Sequence, residues 1–217
     1  MNYFIFDMDG VLVDSEPMHK KILRQVCQSL GIDLSQEYFE SLTGMAAIPM
    51  WAKIKEDTQR NESPEELTAY HREFFFEKLP SAQVPEVAGV KEVIQKLKAN
   101  NYSLSVASSS PRRLIDYFTQ QIDIQSYFDY IISGAELQRS KPFPDIFLKV
   151  ATFYDVPPER FWVMEDSKHG VAAAKSAGMN CIGFQNPNSG SQDLSQADII
   201  IPSMSVVTNE FIQKLAR

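Results

Sequence analysis

Cysteine is scarce in this chain. The 217 residues hold two, Cys27 and Cys181, far apart and at neither a metal-ligand nor a redox spacing. A disulfide-built fold is excluded, and both thiols are expected to be free and buried in a reducing, cytoplasmic setting. Long hydrophobic runs are also missing. No stretch approaches the roughly 20 apolar residues of a membrane helix. The first apolar run, residues 3–6, stops at Asp7 and is too short for the core of a secretory leader. Basic runs are absent as well. Lys and Arg number 21 against 28 Asp and Glu, a net charge of −7. That balance excludes an extended nucleic-acid surface and leaves room only for a local positive site that could hold a phosphate. No internal repeat or low-complexity tract occurs. At 44% hydrophobic and 23% charged, the composition is that of a soluble globular protein. The length suits one large domain or a domain with a sizeable insertion.

What is present has a rhythm. Short apolar runs recur at residues 3–6, 103–107, 130–132, 161–164, 181–184 and 199–201. Most carry β-branched or aromatic residues, and a small or polar residue follows each, as for buried strands. Helical spacing fills the gaps between the later runs: Val90, Val93, Ile94 and Leu97; Leu114, Ile115 and Phe118; Ile146, Phe147 and Val150. Strand and helix in alternation predict an α/β fold, a doubly wound and mostly parallel sheet covered on both faces.

Residues 15–85 break the alternation. Met18, Ile22, Val26 and Leu30 form one helical stripe, and Tyr38, Phe39 and Leu42 another. Ser63-Pro64-Glu65-Glu66 reads as a capping box with proline at the first helical position. The expected organisation is an α/β core from residues 1–14 and 86–217, with an inserted α-helical cap over 15–85. Two connections and a separate core suit a lid that hinges. Trp51 and Phe74–Phe76 are assigned to the interior of this insertion. His71 and His169 have no ligand partner by spacing and are expected at the surface.

Parallel sheets bind ligands at the carboxyl ends of their strands, and four polar clusters fall there. Asp7 and Asp9 follow the first strand. Ser108, Ser109 and Ser110 follow the second. Lys141, in Lys141-Pro142-Phe143-Pro144, lies beyond the third. Glu165 and Asp166 close the fourth. The spacing of two puts Asp7 and Asp9 on the same side of an extended strand.

These groups suit phosphoryl transfer. A carboxylate can attack phosphorus and form an aspartyl phosphate. It must first approach an anion, at roughly 4 kcal/mol per charge pair at about 4 Å and an effective dielectric of 20. Cations have to offset this. Asp7, Glu165 and Asp166 offer hard oxygens for Mg²⁺. Lys141 adds a fixed positive charge, and Ser108 with the amide that follows can hold phosphoryl oxygens. Asp9 is left as general acid and then base. Each cluster also has a plainer reading. Paired aspartates can end a strand at a solvated turn, Ser108–Ser110 before Pro111 can start a helix, Ser167 can cap one, and lone lysines are mostly solvated.

Taken together, the four clusters resemble the motifs of the haloacid dehalogenase-like hydrolase superfamily. The resemblance is to the branch of sugar-phosphate phosphatases and β-phosphoglucomutases with a helical cap after the first motif. It covers the whole chain: Asp7-Met8-Asp9-Gly10-Val11-Leu12-Val13-Asp14-Ser15-Glu16, Ala107-Ser108-Ser109-Ser110, Ser140-Lys141-Pro142-Phe143-Pro144-Asp145, and Glu165-Asp166-Ser167 with Gly170. The resemblance implies that Asp7 is the nucleophile and Asp9 the acid/base. It implies Mg²⁺ on Asp7, the Asp9 carbonyl, Asp166 and Glu165. It implies phosphate on Ser108, Ser109 and Lys141, and makes His19 a further candidate on the cap. An aspartate at position 9 points to phosphate esters, because ester cleavage needs a proton donor that dehalogenation does not.

The expected function is therefore a Mg²⁺-dependent phosphatase of small phosphomonoesters, sugar phosphates foremost. The expected partner is a small phosphorylated metabolite, with no nucleic acid and no membrane, and the chain is expected to be a monomer. A β-phosphoglucomutase is the first alternative. Its cap arginine would fall on Ala47, counted from Gly44, where this chain has none. A non-catalytic phosphate-ligand binder is the second.

Overall fold

The structure, a computed structural model, describes residues 2–42, 45, 47–81 and 84–216. The chain divides into two compact units, Met1–Ser15 with Val84–Arg217, and Glu16–Gln83.

The first unit opens with β1 (Asn2–Phe6). The chain then enters the second unit, built from α1 (Glu16–Ser29), α2 (Gln36–Ser41), α3 (Ala47–Thr58) and α4 (Pro64–Lys78). Two of these helices start at a capping serine. Ser63 accepts the Glu66 N–H while the Glu66 carboxylate reaches back to the Ser63 N–H, with Pro64 at the first position of α4. This satisfies donors that a helix start leaves open. Ser35 caps α2. α1 ends at Ser29, so Leu30 falls outside it, and the Leu30 carbonyl accepts from Arg60 Nη1 at 2.8 Å. The unit packs Ile22, Val26, Trp51, Ile54, Leu67 and Phe75 into its own core.

The chain re-enters the first unit and runs α5 (Val90–Ala99), β2 (Tyr102–Ser108), α6 (Arg112–Gln121), β3 (Tyr130–Ser133), α7 (Asp145–Tyr154), β4 (Phe161–Glu165), α8 (Lys168–Ser176), β5 (Asn180–Phe184), β6 (Ile199–Ile201) and α9 (Asn209–Leu215). The six strands pair in parallel, in the order β3-β2-β1-β4-β5-β6. β1 lies centrally, with Phe6 level with Val106 on one side and Met164 on the other. Alternation along β1 sends Ile5 to a core shared with Ala107, Phe147, Val163 and Ala174. Phe4 and Phe6 face the other way, their rings 4.7 Å apart. Every residue of β2 is buried, as expected for a strand covered on both faces.

This order fixes where chemistry can occur. From β1 the sheet grows outward through β2 and β3, and the chain then crosses back to add β4 on the other side. The loops after β1 and β4 therefore diverge and leave a crevice at the carboxyl edge, the usual ligand position in such sheets.

Candidate active site

Asp7 stands where β1 ends. Its N–H still bonds the Met164 carbonyl at 3.0 Å, so the ladder holds it beside β4. The chain then turns. The N–H groups of Leu12 and Val13 return to the Met8 carbonyl at 2.9 and 3.0 Å, and Gly10 N–H bonds the Val13 carbonyl at 2.7 Å. Gly10 has φ +79°, and a Cβ there would sit 1.9 Å from Asp166 Oδ2. Both the backbone and the space require glycine. Asp9 lies inside this turn and not on the strand, since β1 stops at Phe6. The expectation that strand alternation aligns Asp9 with Asp7 is therefore corrected: tight-turn hydrogen bonds place Asp9.

At the end of β4, Glu165 is fully buried and Asp166 nearly so. Ser167 caps α8 by accepting the Gly170 N–H at 3.0 Å, and its Oγ donates to Glu165 Oε2 at 2.9 Å. A Cβ on Gly170 would fall 1.9 Å from Glu165 Cδ, so the missing side chain is what admits the carboxylate under the helix.

Lys141 joins the two strand ends. Its Nζ donates to Asp7 Oδ1 at 2.6 Å, to Glu165 Oε1 at 2.6 Å and to the Ala107 carbonyl at 2.9 Å, using all three protons. The side chain is 6% exposed. Asp7, Glu165 and Asp166 each present an oxygen within 4.8 Å of the others. Three buried carboxylates thus face one ammonium.

The titration behaviour follows from that imbalance. Burial, with the charges of Glu165, Asp166 and Asp9, drives the Asp7 carboxyl well above its ordinary range despite Lys141. Burial and the Glu165 charge push Asp166 up to about 7. For Lys141, burial opposes the charge, but the Asp7 and Glu165 carboxylates outweigh it and hold the ammonium above its usual value. The site is a buried cluster with more carboxylates than cations. All-oxygen donors in this arrangement fit a hard divalent cation, which would supply the missing charge.

Asp9 sits outside that carboxylate triad and meets hydroxyls instead. Ser15 Oγ donates to Oδ1 at 2.6 Å, and Ser110 Oγ to Oδ2 at 2.7 Å. Ser108 Oγ lies 3.4 Å from the same Oδ2 and accepts the Ser110 N–H at 3.0 Å. Ser108 is fully buried at the end of β2, whereas Ser109 is exposed. Ser110, held also by Ser133 Oγ on its carbonyl at 2.6 Å, makes the shorter of the two contacts from the end of β2 to Asp9.

The sequence candidates therefore divide. Asp7, Lys141, Glu165 and Asp166 come together, and Asp9 and Ser108 lie beside them. His19 belongs to α1 in the helical unit, stacked on Phe75 with ring centroids 4.8 Å apart. His71 is not the surface residue expected from spacing. Its Nδ1 accepts from Trp51 Nε1 at 3.3 Å, and burial with the neighbouring His19 charge pushes it down to about 4. Gly44, the anchor for the arginine comparison, lies outside the described residues. Sequence reasoning named Ser15 and Ser110 within motifs but gave them no role, and it missed Asn186 and Ser189. The sequence over 186–192 is a short polar stretch, the one signal for the last two. It reads as a loop, but Asn186 is buried, with Nδ2 on the Gly10 carbonyl at 2.8 Å.

Comparison with known proteins follows the same lines. The profile of the family described as haloacid dehalogenase-like hydrolase matches residues 4–184. A phosphorylated carbohydrates phosphatase of Thermotoga maritima is 32% identical over 185 residues, covering 84% of each chain. A β-phosphoglucomutase of Bacillus subtilis is 28% identical over 99% of this chain and 95% of its own. The crystal structure of CbbY from Rhodobacter sphaeroides in complex with phosphate is 25% identical, with a TM-score of 0.77 over 94% of this chain and 96% of that one.

Proposed function

The chain belongs to the haloacid dehalogenase-like hydrolase family, in its branch of sugar-phosphate phosphatases and β-phosphoglucomutases. From that premise we propose that this phosphoric monoester hydrolase is a Mg²⁺-dependent phosphatase of small phosphorylated sugars, acting through an aspartyl phosphate. The observation that carries the reading is the buried Asp7–Lys141–Glu165 bridge with Asp166 beside it, at the sheet's switch point. A structural ion pair does not need a third carboxylate. A site that must accept a cation together with an anionic group does.

Asp7, Glu165 and Asp166, with the Asp9 carbonyl, would hold Mg²⁺. Bound there, the ion offsets the excess negative charge and that of the phosphoryl group. Asp7 attacks phosphorus with a carboxylate oxygen. Lys141 orients that carboxylate and neutralises charge as the phosphoryl arrives. Ser108, with Ser109 beside it, contributes phosphate contacts at the end of β2. Asp9 donates a proton to the departing alcohol oxygen. It then takes one from the water that attacks phosphorus, which breaks the P–O bond to Asp7, releases inorganic phosphate and returns both aspartates to their starting state. Ser15 and Ser110 aim the Asp9 side chain. The helical unit is read as the family's cap, and substrate choice, with His19 as a candidate contact, is assigned to it. Free Cys27 and Cys181 suit a cytoplasmic, reducing setting.

Asp9→Asn should lower turnover by roughly 10²–10⁴, the usual worth of a general acid–base group. Asp7→Asn should cost more, on the order of 10⁴–10⁶, as for removal of a covalent nucleophile. Phosphate release from a panel of sugar phosphates, nucleotides and small phosphorylated acids, with Mg²⁺, measures both. Full activity of either variant sinks its assignment. The mutase alternative rests on the similarity to the Bacillus subtilis enzyme. Ala47 counts against it, since it offers no charge for a second phosphate. Formation of glucose 6-phosphate from β-glucose 1-phosphate without free phosphate would establish the mutase instead.

A further inference from the structure

The segment between β5 and β6 serves none of the roles above, yet it is built against the site from three directions. Asn186 is buried at 6% exposure. Its Nδ2 donates to the Gly10 carbonyl at 2.8 Å, and its Oδ1 accepts the Asn188 N–H at 2.8 Å. Asn188 Nδ2 donates to Asp14 Oδ2 at 2.6 Å. Ser189 Oγ donates to Asp166 Oδ2. Behind it, Gln192 Nε2 donates to the Ser189 carbonyl at 3.0 Å, and Gln192 Oε1 accepts the Lys168 N–H at the start of α8 at 3.2 Å. The packing is closest where these groups meet. A Cβ on Gly10 would sit 2.8 Å from Ser189 Oγ as well as 1.9 Å from Asp166 Oδ2. One short loop therefore grips both the turn that carries Asp7 and Asp9 and the carboxylate at the end of β4.

We propose that Ser189, seated by Asn186 and Gln192, is a positioning residue that fixes the Asp166 carboxylate for divalent-cation binding. Its bond is the one recorded on that carboxylate among the described residues, and it occupies Oδ2 alone. The other oxygen is left to the cation. Asn186 sets the companion distance, because the Gly10 carbonyl it holds belongs to the turn that begins at Asp7. The loop thereby determines how far apart the two cation-binding carboxylates stand. Partners of this kind commonly change metal affinity about 10–100-fold when removed. The inference rests on the reading that Asp166 helps hold Mg²⁺.

The test is Mg²⁺ binding to the substrate-free full chain, read by isothermal titration and by the rise of melting temperature with Mg²⁺. The wild type should saturate. Ser189→Ala should need roughly ten-fold or more Mg²⁺ for half-saturation, and Ser189→Thr, which keeps the hydroxyl, should restore it. Half-saturation of a folded Ser189→Ala protein within about two-fold of the wild type overturns the proposal. Should Ser189→Ala fail to fold, Gln192→Ala decides. Weakened Mg²⁺ binding supports the proposal and unchanged binding overturns it. A wild type with no saturable response removes the Mg²⁺ reading itself, and this inference with it.

Discussion

Lys141 in the α/β unit, its side chain buried, and His71 in the helical unit, half-buried, are both titratable groups withdrawn from water, and the two units treat them differently. Lys141 is kept charged by two carboxylates, with a third close by that it does not bond. His71 is kept neutral, its Nδ1 occupied by the Trp51 N–H. In the helical unit the buried polar group is complete once its one partner is in place. In the α/β unit the protein's own groups leave charge over. Burial acts the same way in both, disfavouring the ionised form. What differs is whether the chain compensates internally. His71 meets a neutral donor, whereas the carboxylates around Lys141 leave a partner to be supplied from outside.

Lys141→Met tests the contrast hardest. It should destabilise the metal-free α/β unit by about 3–5 kcal/mol, because removing one member of a buried ionic cluster leaves the rest uncompensated. Turnover should fall by roughly 10²–10³. An unchanged urea midpoint would break the comparison. The His71 prediction comes next. Its folded pKa lies below the unfolded one, near 4 against 6.5, so the unfolded chain binds the proton first. The stability it supports is whole above pH 6.5, is lost as pH falls towards 4, and is then level. The full change is about 3 kcal/mol. Hydrogen exchange of the α3 and α4 amides should follow that slope, and His71→Leu should flatten it. The smallest effect is Ser63→Ala, about 1 kcal/mol from the lost cap, confined to exchange in α4. Equal loosening of β1 and β4 amides would show that the two units unfold together.

The strands were legible because fully buried parallel strands are short apolar runs with little else around them. The capping box at Ser63 and the Ser167 cap were legible because their chemistry is local. So were the polar groups at strand ends, since topology alone sends them to one edge. Long-range contacts were not. Nothing in the spacing of Ser189 marks it off from other serines, since it meets Asp166 only when the loop after β5 reaches the end of β4. Ser110 was legible as part of a strand-end cluster but not as the partner of Asp9, 101 residues away. Asp9 shows the same limit. Period-two reasoning holds while a strand lasts, and β1 ends one residue before the pair begins. His71 was misplaced because a single histidine carries no periodicity, and its partner lies 20 residues away.

The two crossings between the units pair with each other. Asp14 N–H bonds the Pro85 carbonyl at 2.9 Å, Val87 N–H bonds the Leu12 carbonyl at 3.1 Å, and Val13 bridges Glu86 in antiparallel fashion. The α/β unit therefore lets the chain out beyond Asp14 and takes it back at Pro85 through points about 5 Å apart, the separation across an antiparallel pair. In chain-statistical terms the α/β unit sees only a closed loop. Doubling the length of such a loop costs about 0.6 kcal/mol of closure entropy. The staple makes the core nearly indifferent to what is threaded between its two ends. A change of length between Glu16 and Gln83 should therefore leave the turn that carries Asp7 in place.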